Sequence, residues 1–434
     1  MPSLLRPVLP TELFEEIMGH TALSTHSTTT LRACSQVNST MYYLSQKLLF
    51  REVTITYTLE TASHPDSAFI TPTTISIFDR ADGPATGLKF YDFLQQSRHI
   101  QPYVRTLKLQ FLEGGRTISP HRHIFSLQSI LSLLRKLETL VFCRLWGIGS
   151  DTYQEIEFNP MTIRNFRKSL LSLPYSVRHL DTRGFAMFPL SLVLQCPVGL
   201  QKLSFTRLDD ALPVGPFYQR LKLVSLDMGT CSPLSQAGID VSLLKHLRIS
   251  TQPEFPFLEA QVRSIVDGCK DTLEHLEISA EWLKRRIPDG VQAFTQQLEG
   301  LAGSLQLRSH VALRRVTFSV IFSWLNAEAG TDEEDLRVWE SFVAVIRALL
   351  LDTPQVTSVT LSVQIHLIGI EGESGILRSL VFPGISDLAM LTTHYAFGKN
   401  IKVVLQELRH YRTPHESLIS MNKFWTRMFV PLDQ

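Results

Sequence analysis

The stretch Leu244-Lys245-His246-Leu247-Arg248-Ile249 decides the fold predicted for this chain. Apolar residues fill its first, fourth and sixth positions, and polar residues lie between them. Because side chains alternate between the two faces of a strand, the last two apolar residues point to the same side. The hexamer therefore predicts a strand whose apolar side faces a core.

The same pattern, apolar-x-x-apolar-x-apolar, recurs along most of the chain. Its copies begin at Val104, Leu137, Val177, Leu200, Leu223, Leu244, Leu273, Leu313, Val356 and Ile385. In the Val177 copy, Thr182 fills the third apolar place. Helical patterns lie between the copies, at residues 125–134, 163–173, 257–269, 291–301 and 339–350.

A strand followed by a helix, repeated with irregular spacing, predicts an α/β fold. The arrangement resembles a leucine-rich-repeat solenoid, or horseshoe. Burying each leucine contributes about 1.5–3 kcal/mol, and no single repeat covers its own apolar side. The stack is therefore expected to be continuous.

A doubly wound α/β sheet is the competing fold, since it also alternates strands with helices. Its strands are buried on both faces and form longer runs of Val and Ile. Here polar residues interrupt every predicted strand, as Lys245, His246 and Arg248 do in the hexamer. The shortest spacings between copies are also tight for a full helical crossover, so the solenoid is preferred.

The N-terminal region has a different pattern. It contains Leu9-Pro10-Thr11-Glu12-Leu13, then Leu31 to Val37, then Leu48-Leu49-Phe50-Arg51, in that order. Proline suits a first helical turn, and Leu13 and Ile17 share one helix face. A module of this size cannot bury both faces of its helices by itself, so some apolar residues must pack against another domain or protein.

This order of elements resembles an F-box, the short three-helix module that docks onto the Skp-type adaptor of a cullin-RING ubiquitin ligase. The resemblance covers about a tenth of the chain. It implies that the adaptor contacts Leu9, Pro10, Leu13, Ile17, Leu31, Val37 and Phe50. The loop between the first two helices is longer than is usual in the family, and Met41, Tyr42 and Tyr43 stand where a tryptophan is common.

The ladder resembles the divergent repeats that follow F-boxes in many fungal receptor proteins. The alternative is that residues 9–50 are only a helical cap, which the end of a solenoid requires. The predicted domains are a helical module at 1–52, a linker and cap at 53–103, the solenoid at 104–393 and a helical cap at 394–434. The C-terminal cap is expected to contain helices at 401–411 and 418–429.

Composition excludes several classes of function. Lys and Arg number 42 against 41 Asp and Glu, a balance that does not predict a nucleic-acid surface or a polybasic membrane anchor. The five cysteines are scattered without a Cys-x-x-Cys pair, which predicts reduced thiols in an intracellular protein rather than disulfides or zinc. No signal peptide or membrane-spanning segment is predicted.

No motif for catalysis, a metal or a cofactor was found, neither a Gly-x-Ser-x-Gly elbow nor a phosphate-binding glycine loop. His121 and His123 are expected to lie in a surface turn, and the acidic run from Asp332 to Asp335 is expected to start a helix. The main hypothesis is a non-enzymatic F-box receptor that binds a Skp-type adaptor, through it a cullin, and an unknown protein substrate. The alternatives are a repeat scaffold without a ligase role and an enzyme built on an α/β sheet.

Overall fold

The computed structural model of the chain describes residues 11–22, 27–60, 87–114, 123–145, 168–183, 188–194, 196, 199–206, 208–209, 220–229, 238–251, 259–283, 290–325, 333–351, 353–368 and 400–410. The chain forms two compact units. One comprises Met1–Phe205 with Ala211–Leu221, and the other comprises Thr206–Asp210 with Lys222–Gln434. Each unit contains parallel strands and a buried core of its own.

The helices are numbered in chain order: α1 Thr11–Ala22, α2 Ser27–Cys34, α3 Ser39–Leu49, α4 Gly87–Gln96, α5 His123–Leu133, α6 Leu190–Val193, α7 Glu259–Gly268, α8 Gly290–Ser304 and α9 Glu333–Leu351. Short 3₁₀ helices cover Gln101–Tyr103 and Leu307–Ser309. A further helical turn lies at residues 168–171.

The strands are β1 Glu52–Glu60, β2 Thr106–Gly114, β3 Thr139–Leu145, β4 His179–Asp181, β5 Phe188–Pro189, β6 Lys202–Phe205, β7 Leu208–Asp209, β8 Leu221–Lys222, β9 Ser225–Met228, β10 Ile239–Asp240, β11 His246–Thr251, β12 His275–Leu283, β13 Arg315–Leu325, β14 Ser358–Ile368 and β15 Asn400–His410.

The three N-terminal helices form a small module around an apolar centre. Met18 of α1, Leu31 of α2 and Leu44 of α3 are buried against one another. Asn38 begins α3, because its side-chain Oδ1 accepts a hydrogen bond from the backbone N–H of Met41. The predicted helical character of this region is therefore confirmed, whereas its identity as an F-box stays a prediction.

In the first unit, the parallel strands run in the order β1-β2-β3-β4-β6. Each strand pairs in register with the next, so residues from the fourth position of successive motifs lie side by side. These aligned and buried residues are Val53, Leu107, Leu140, Leu180 and Leu203.

Strand β1 belongs to a further copy of the motif. It lies in a segment that was predicted to be a linker and cap. Phe50, Val53 and Ile55 fill the three apolar positions of this copy, and all three are buried. β1 pairs with β2 along its whole length. The sheet therefore begins directly after the helical module.

In the second unit, the strands run in the order β9-β11-β12-β13-β14-β15, again in parallel register. Their aligned fourth-position residues are Leu226, Leu247, Leu276, Val316, Val359 and Ile401. Helices cover the apolar side of these strands. Trp282 of β12 packs on Phe294 of α8 at 5.5 Å between ring centroids, and Phe318 of β13 contacts Phe342 of α9 at 6.5 Å.

The strand begins at the same position in each described copy of the motif. A strand begins two residues after the first apolar residue, as β12 begins at His275 after Leu273. There two successive backbone N–H groups, those of Glu274 and His275, donate to one carbonyl, that of Lys245 in the preceding repeat, each at 2.9 Å. This shared carbonyl recurs between repeats in both units and keeps the strands in register.

Strands that follow one another in the chain are neighbours throughout the described sheet of each unit. A doubly wound sheet instead reverses its strand order at a switch point. The fold is therefore a mixed α/β arrangement with parallel strands, consistent with a leucine-rich-repeat-like solenoid. The predicted helices at 125–134, 257–269, 291–301 and 339–350 are confirmed by α5, α7, α8 and α9.

One part of the C-terminal prediction was wrong. Residues 400–410 form strand β15, parallel to β14, where a helix was expected at 401–411. Ile401, Val403 and Leu405 alternate with a period of two, and pairing satisfies backbone groups that β14 would otherwise leave open. The strand predicted at 385–390 and the helix predicted at 418–429 lie outside the described residues.

Candidate protein-binding surfaces

Helix α1 divides its apolar residues between two faces. Phe14 and Met18 pack into the centre of the three-helix module. Leu13 and Ile17, also four residues apart, keep 43% and 50% of their surfaces exposed. Large aliphatic side chains on one exposed helix stripe are typical of a surface that another molecule covers.

The other predicted adaptor-contacting residues are divided. Val37, in the turn between α2 and α3, is 66% exposed. Leu31 and Phe50 are buried at 3% and 4%, so they serve the chain's own packing. Leu9 and Pro10, also predicted to contact the adaptor, lie outside the described residues.

Phe50 is held by a neighbouring helix. Its ring stacks on Phe93 of α4 at a centroid distance of 5.6 Å. The Arg51 carbonyl beside it accepts hydrogen bonds from the N–H groups of Arg105 and Thr106, each at 2.9 Å. Successive repeats are joined by the same pair of hydrogen bonds to one shared carbonyl. Phe50 therefore occupies the first apolar position of a repeat. The pattern Phe50-x-x-Val53-x-Ile55 would have identified this role in the sequence.

Two exposed tyrosines, Tyr42 and Tyr43, were not predicted as surface residues of α3. Tyr42, Leu49, Phe93 and Ile100 are among the residues that line a cavity of about 250 Å³. That volume is slightly below the range of small-molecule sites, about 300–1,000 Å³. The cavity is therefore better suited to a single side chain than to a cofactor.

The second unit presents a polar strand face, opposite its helix-covered side. Pairing registers arrange the face in three rows across the strands. The first row, at the third motif position, contains Ser225, His246, His275, Arg315 and Ser358. The second row contains Asp227, Arg248, Glu277, Thr317 and Thr360. The third row contains Ser250, Ser279, Ser319 and Ser362.

Charges in the second row balance one another. The Arg248 Nε lies 3.4 Å from Glu277 Oε1 and 3.8 Å from Asp227 Oδ1, on the two neighbouring strands. One guanidinium therefore separates two carboxylates that would otherwise repel across the sheet.

The first row brings two imidazoles together. The rings of His246 and His275 meet edge to face at a centroid distance of 5.9 Å. His275 Nε2 lies 3.0 Å from the Thr317 Oγ1. Burial, followed by the nearby His246 and Arg315, lowers the pKa of His275 below that of a free histidine.

The first unit has its own polar strand face. Arg183 binds Asp181 with its Nε and Nη2 atoms, the shortest distance being 2.6 Å. Burial, followed by the nearby Lys202, lowers the pKa of His179 to about 4. The Nε2 of this ring is buried and has no hydrogen-bond partner.

Across the described ranges, no group of three His, Cys, Asp or Glu side chains could hold a metal ion. Burial raises the pKa of the Cys196 and Cys269 thiols to about 12, which makes both poor nucleophiles. None of the helices that the structure describes is long and apolar enough to cross a membrane.

Comparisons with known proteins add one structural likeness. No family model matches the chain. No curated protein matches it. The chain is similar to the leucine-rich repeat-containing protein LegL7 from Legionella pneumophila, with 10% sequence identity and a TM-score of 0.29. The similarity covers 71% of this chain and 90% of LegL7, and the repeat architecture rests on the strand register rather than on this likeness.

Proposed function

We propose that the chain is an F-box substrate receptor of a Skp/cullin/F-box ubiquitin ligase. The observation that carries this proposal is the exposed stripe of Leu13 and Ile17 on a three-helix module whose centre is already filled. Because each side chain is already about half buried, a second molecule that covers the stripe would add about 0.7–1.5 kcal/mol for each.

The proposed adaptor surface is smaller than the sequence alone suggested. Leu31 and Phe50 are buried in the chain's own core and do not contribute to it. The contact would therefore involve Leu13, Ile17 and Val37, together with Leu9 and Pro10. The ligase partners would supply the catalysis, and the receptor would hold a substrate at high effective concentration.

The repeats would supply the substrate-binding arm. The strand face of the second unit carries polar side chains in rows whose backbone positions are set by the strand register. Fixed side chains lower the entropic cost of binding an extended segment of another protein.

Co-purification with a Skp-type adaptor tests the proposal. In the variant Leu13→Asp with Ile17→Asp, loss of two half-exposed apolar contacts totals about 1.5–3 kcal/mol, so affinity should fall at least about tenfold. The matched control is Leu243→Asp with Val311→Asp, two comparably exposed apolar residues of the second unit. Adaptor binding that survives the first double variant would refute the proposal.

The second candidate function is a repeat scaffold without a ligase role. It is favoured by Phe50, which joins the helical module to the first repeat as a cap would be joined. In that case the parent chain would not bind any Skp-type adaptor, and the helix-surface variants would change nothing. The same co-purification separates the two functions.

A further inference from the structure

The first row of the second unit's polar strand face contains one arginine and two histidines and no carboxylate of its own. His246 and Arg315 are exposed, and His275 lies between them, half-buried. The pairing registers place the three side chains on adjacent strands in one line. We call these three residues the cationic row.

Nearby carboxylates are already engaged. Glu274 Oε1 lies 2.7 Å from the Lys245 Nζ, and Glu277 is paired with Arg248 in the second row. Within the described residues, the Arg315 guanidinium makes no hydrogen bond or ion pair. The row thus contains a guanidinium and two imidazoles, none of which is hydrogen-bonded to a described carboxylate, and Glu274 lies beside His246 and Arg315.

The spacing of the cationic row matches an extended polypeptide. Neighbouring strands lie about 4.8 Å apart, so the row from His246 to Arg315 spans about 10 Å. Residues two apart in an extended chain are separated by about 6.6 Å on one face. A segment crossing the strands could therefore bring two carboxylates to the row at once.

We propose that the cationic row binds an acidic segment of a protein partner, whose Asp or Glu carboxylates pair with Arg315 and accept hydrogen bonds from the imidazoles of His246 and His275. The proposal rests on the proposed function in one respect, because it names the chemistry of the substrate that the repeats recognise. Charge complementarity favours an acidic segment, because the row consists of Arg and His side chains and the neighbouring Glu274 is already paired with Lys245.

Binding at the row is coupled to proton uptake. His275 faces His246 on one side, Arg315 on the other and the Thr317 hydroxyl, while Glu274 lies close to both His246 and Arg315. In the free protein, burial together with the nearby His246 and Arg315 favours the neutral form of His275. A bound carboxylate favours the charged form, so affinity increases as the pH falls from 7.5 to 6.0.

Fluorescence anisotropy with the full chain tests the proposal. The probe is a labelled peptide of alternating Glu and Ser, and the comparison peptide replaces each Glu with Gln. Loss of one exposed charge pair is worth up to about 1 kcal/mol, so Arg315→Gln should raise the Kd of the Glu peptide about fivefold. The matched control is Arg263→Gln, which removes the same charge from helix α7 on the opposite side of the strands.

The expected result is that the Glu peptide binds more tightly than the Gln peptide, that Arg315→Gln weakens binding and Arg263→Gln does not, and that His275→Gln reduces the pH dependence. Equal binding of both peptides, or equal effects of the two arginine variants, would overturn the proposal. The measurement contains no adaptor, so its failure leaves the adaptor test of the proposed function untouched.

Discussion

Replacement of Phe50 by alanine separates its two possible roles. The ring is 4% exposed and stacks on Phe93, so the substitution leaves a cavity between α4 and the first repeat. Phe→Ala changes in a packed core cost about 3–5 kcal/mol. Because domains are stable by only about 5–15 kcal/mol, this cost would remove much of the local stability of the first unit.

Hydrogen exchange at the Thr106 amide measures this effect locally. The amide donates to the Arg51 carbonyl at 2.9 Å, so it is protected only while β1 remains in the sheet. A loss of about 3–5 kcal/mol corresponds to exchange that is faster by about a hundredfold to several thousandfold. Val37→Ala is the control, since this exposed side chain should leave the exchange rate unchanged.

The outcome shows whether Phe50 packs the first repeat or contacts the adaptor. If Phe50 is the first residue of a repeat, Thr106 exchanges rapidly in Phe50→Ala, and any variant molecules that remain folded still bind the adaptor. Unchanged exchange combined with lost adaptor binding would refute the structural interpretation and return Phe50 to the predicted adaptor surface.

Two further predictions concern stability. Because the folded-state pKa of His179 is about 4, the unfolded chain binds the extra proton at higher pH than the folded chain does. The stabilisation that comes from keeping His179 neutral in the folded chain is complete above about pH 6.5 and is lost as the pH falls toward 4. His179→Gln should therefore flatten the decrease of Tm over that interval in calorimetry. Gly229→Ala should lower the free energy of unfolding by about 1–3 kcal/mol in urea titrations, because a Cβ there would overlap the Thr206 carbonyl. Similar pH profiles for His179→Gln and its parent, or an unchanged unfolding midpoint for Gly229→Ala, would contradict these two accounts.

Much of the repeat architecture was predictable because its signal is local. Apolar residues at the first, fourth and sixth positions specify which side of a strand is buried, and the described copies of the motif follow this rule except for Thr182 at the sixth position of one copy. The copy that begins at Phe50 escaped prediction because the same residue also fits the end of an F-box pattern. The period-two alternation of Ile401, Val403 and Leu405 was likewise read as helical, since short apolar runs are ambiguous without their neighbours.

The surface sites were less predictable, because exposure depends on residues distant in the chain. Leu13 and Leu31 look alike in sequence, yet one is exposed and the other is buried against Met18 and Leu44. The cationic row depends on strand register, which brings His246, His275 and Arg315 into one line. Neither arrangement has a signature within a single repeat.

The sequence by itself determined that this chain repeats a strand with one apolar side, since that pattern follows from the alternation of side chains along an extended backbone. Only the tertiary structure decided which apolar residues remain uncovered and which polar residues become neighbours. Both depend on pairing between segments tens of residues apart, and the energy of such contacts is not encoded in either segment alone.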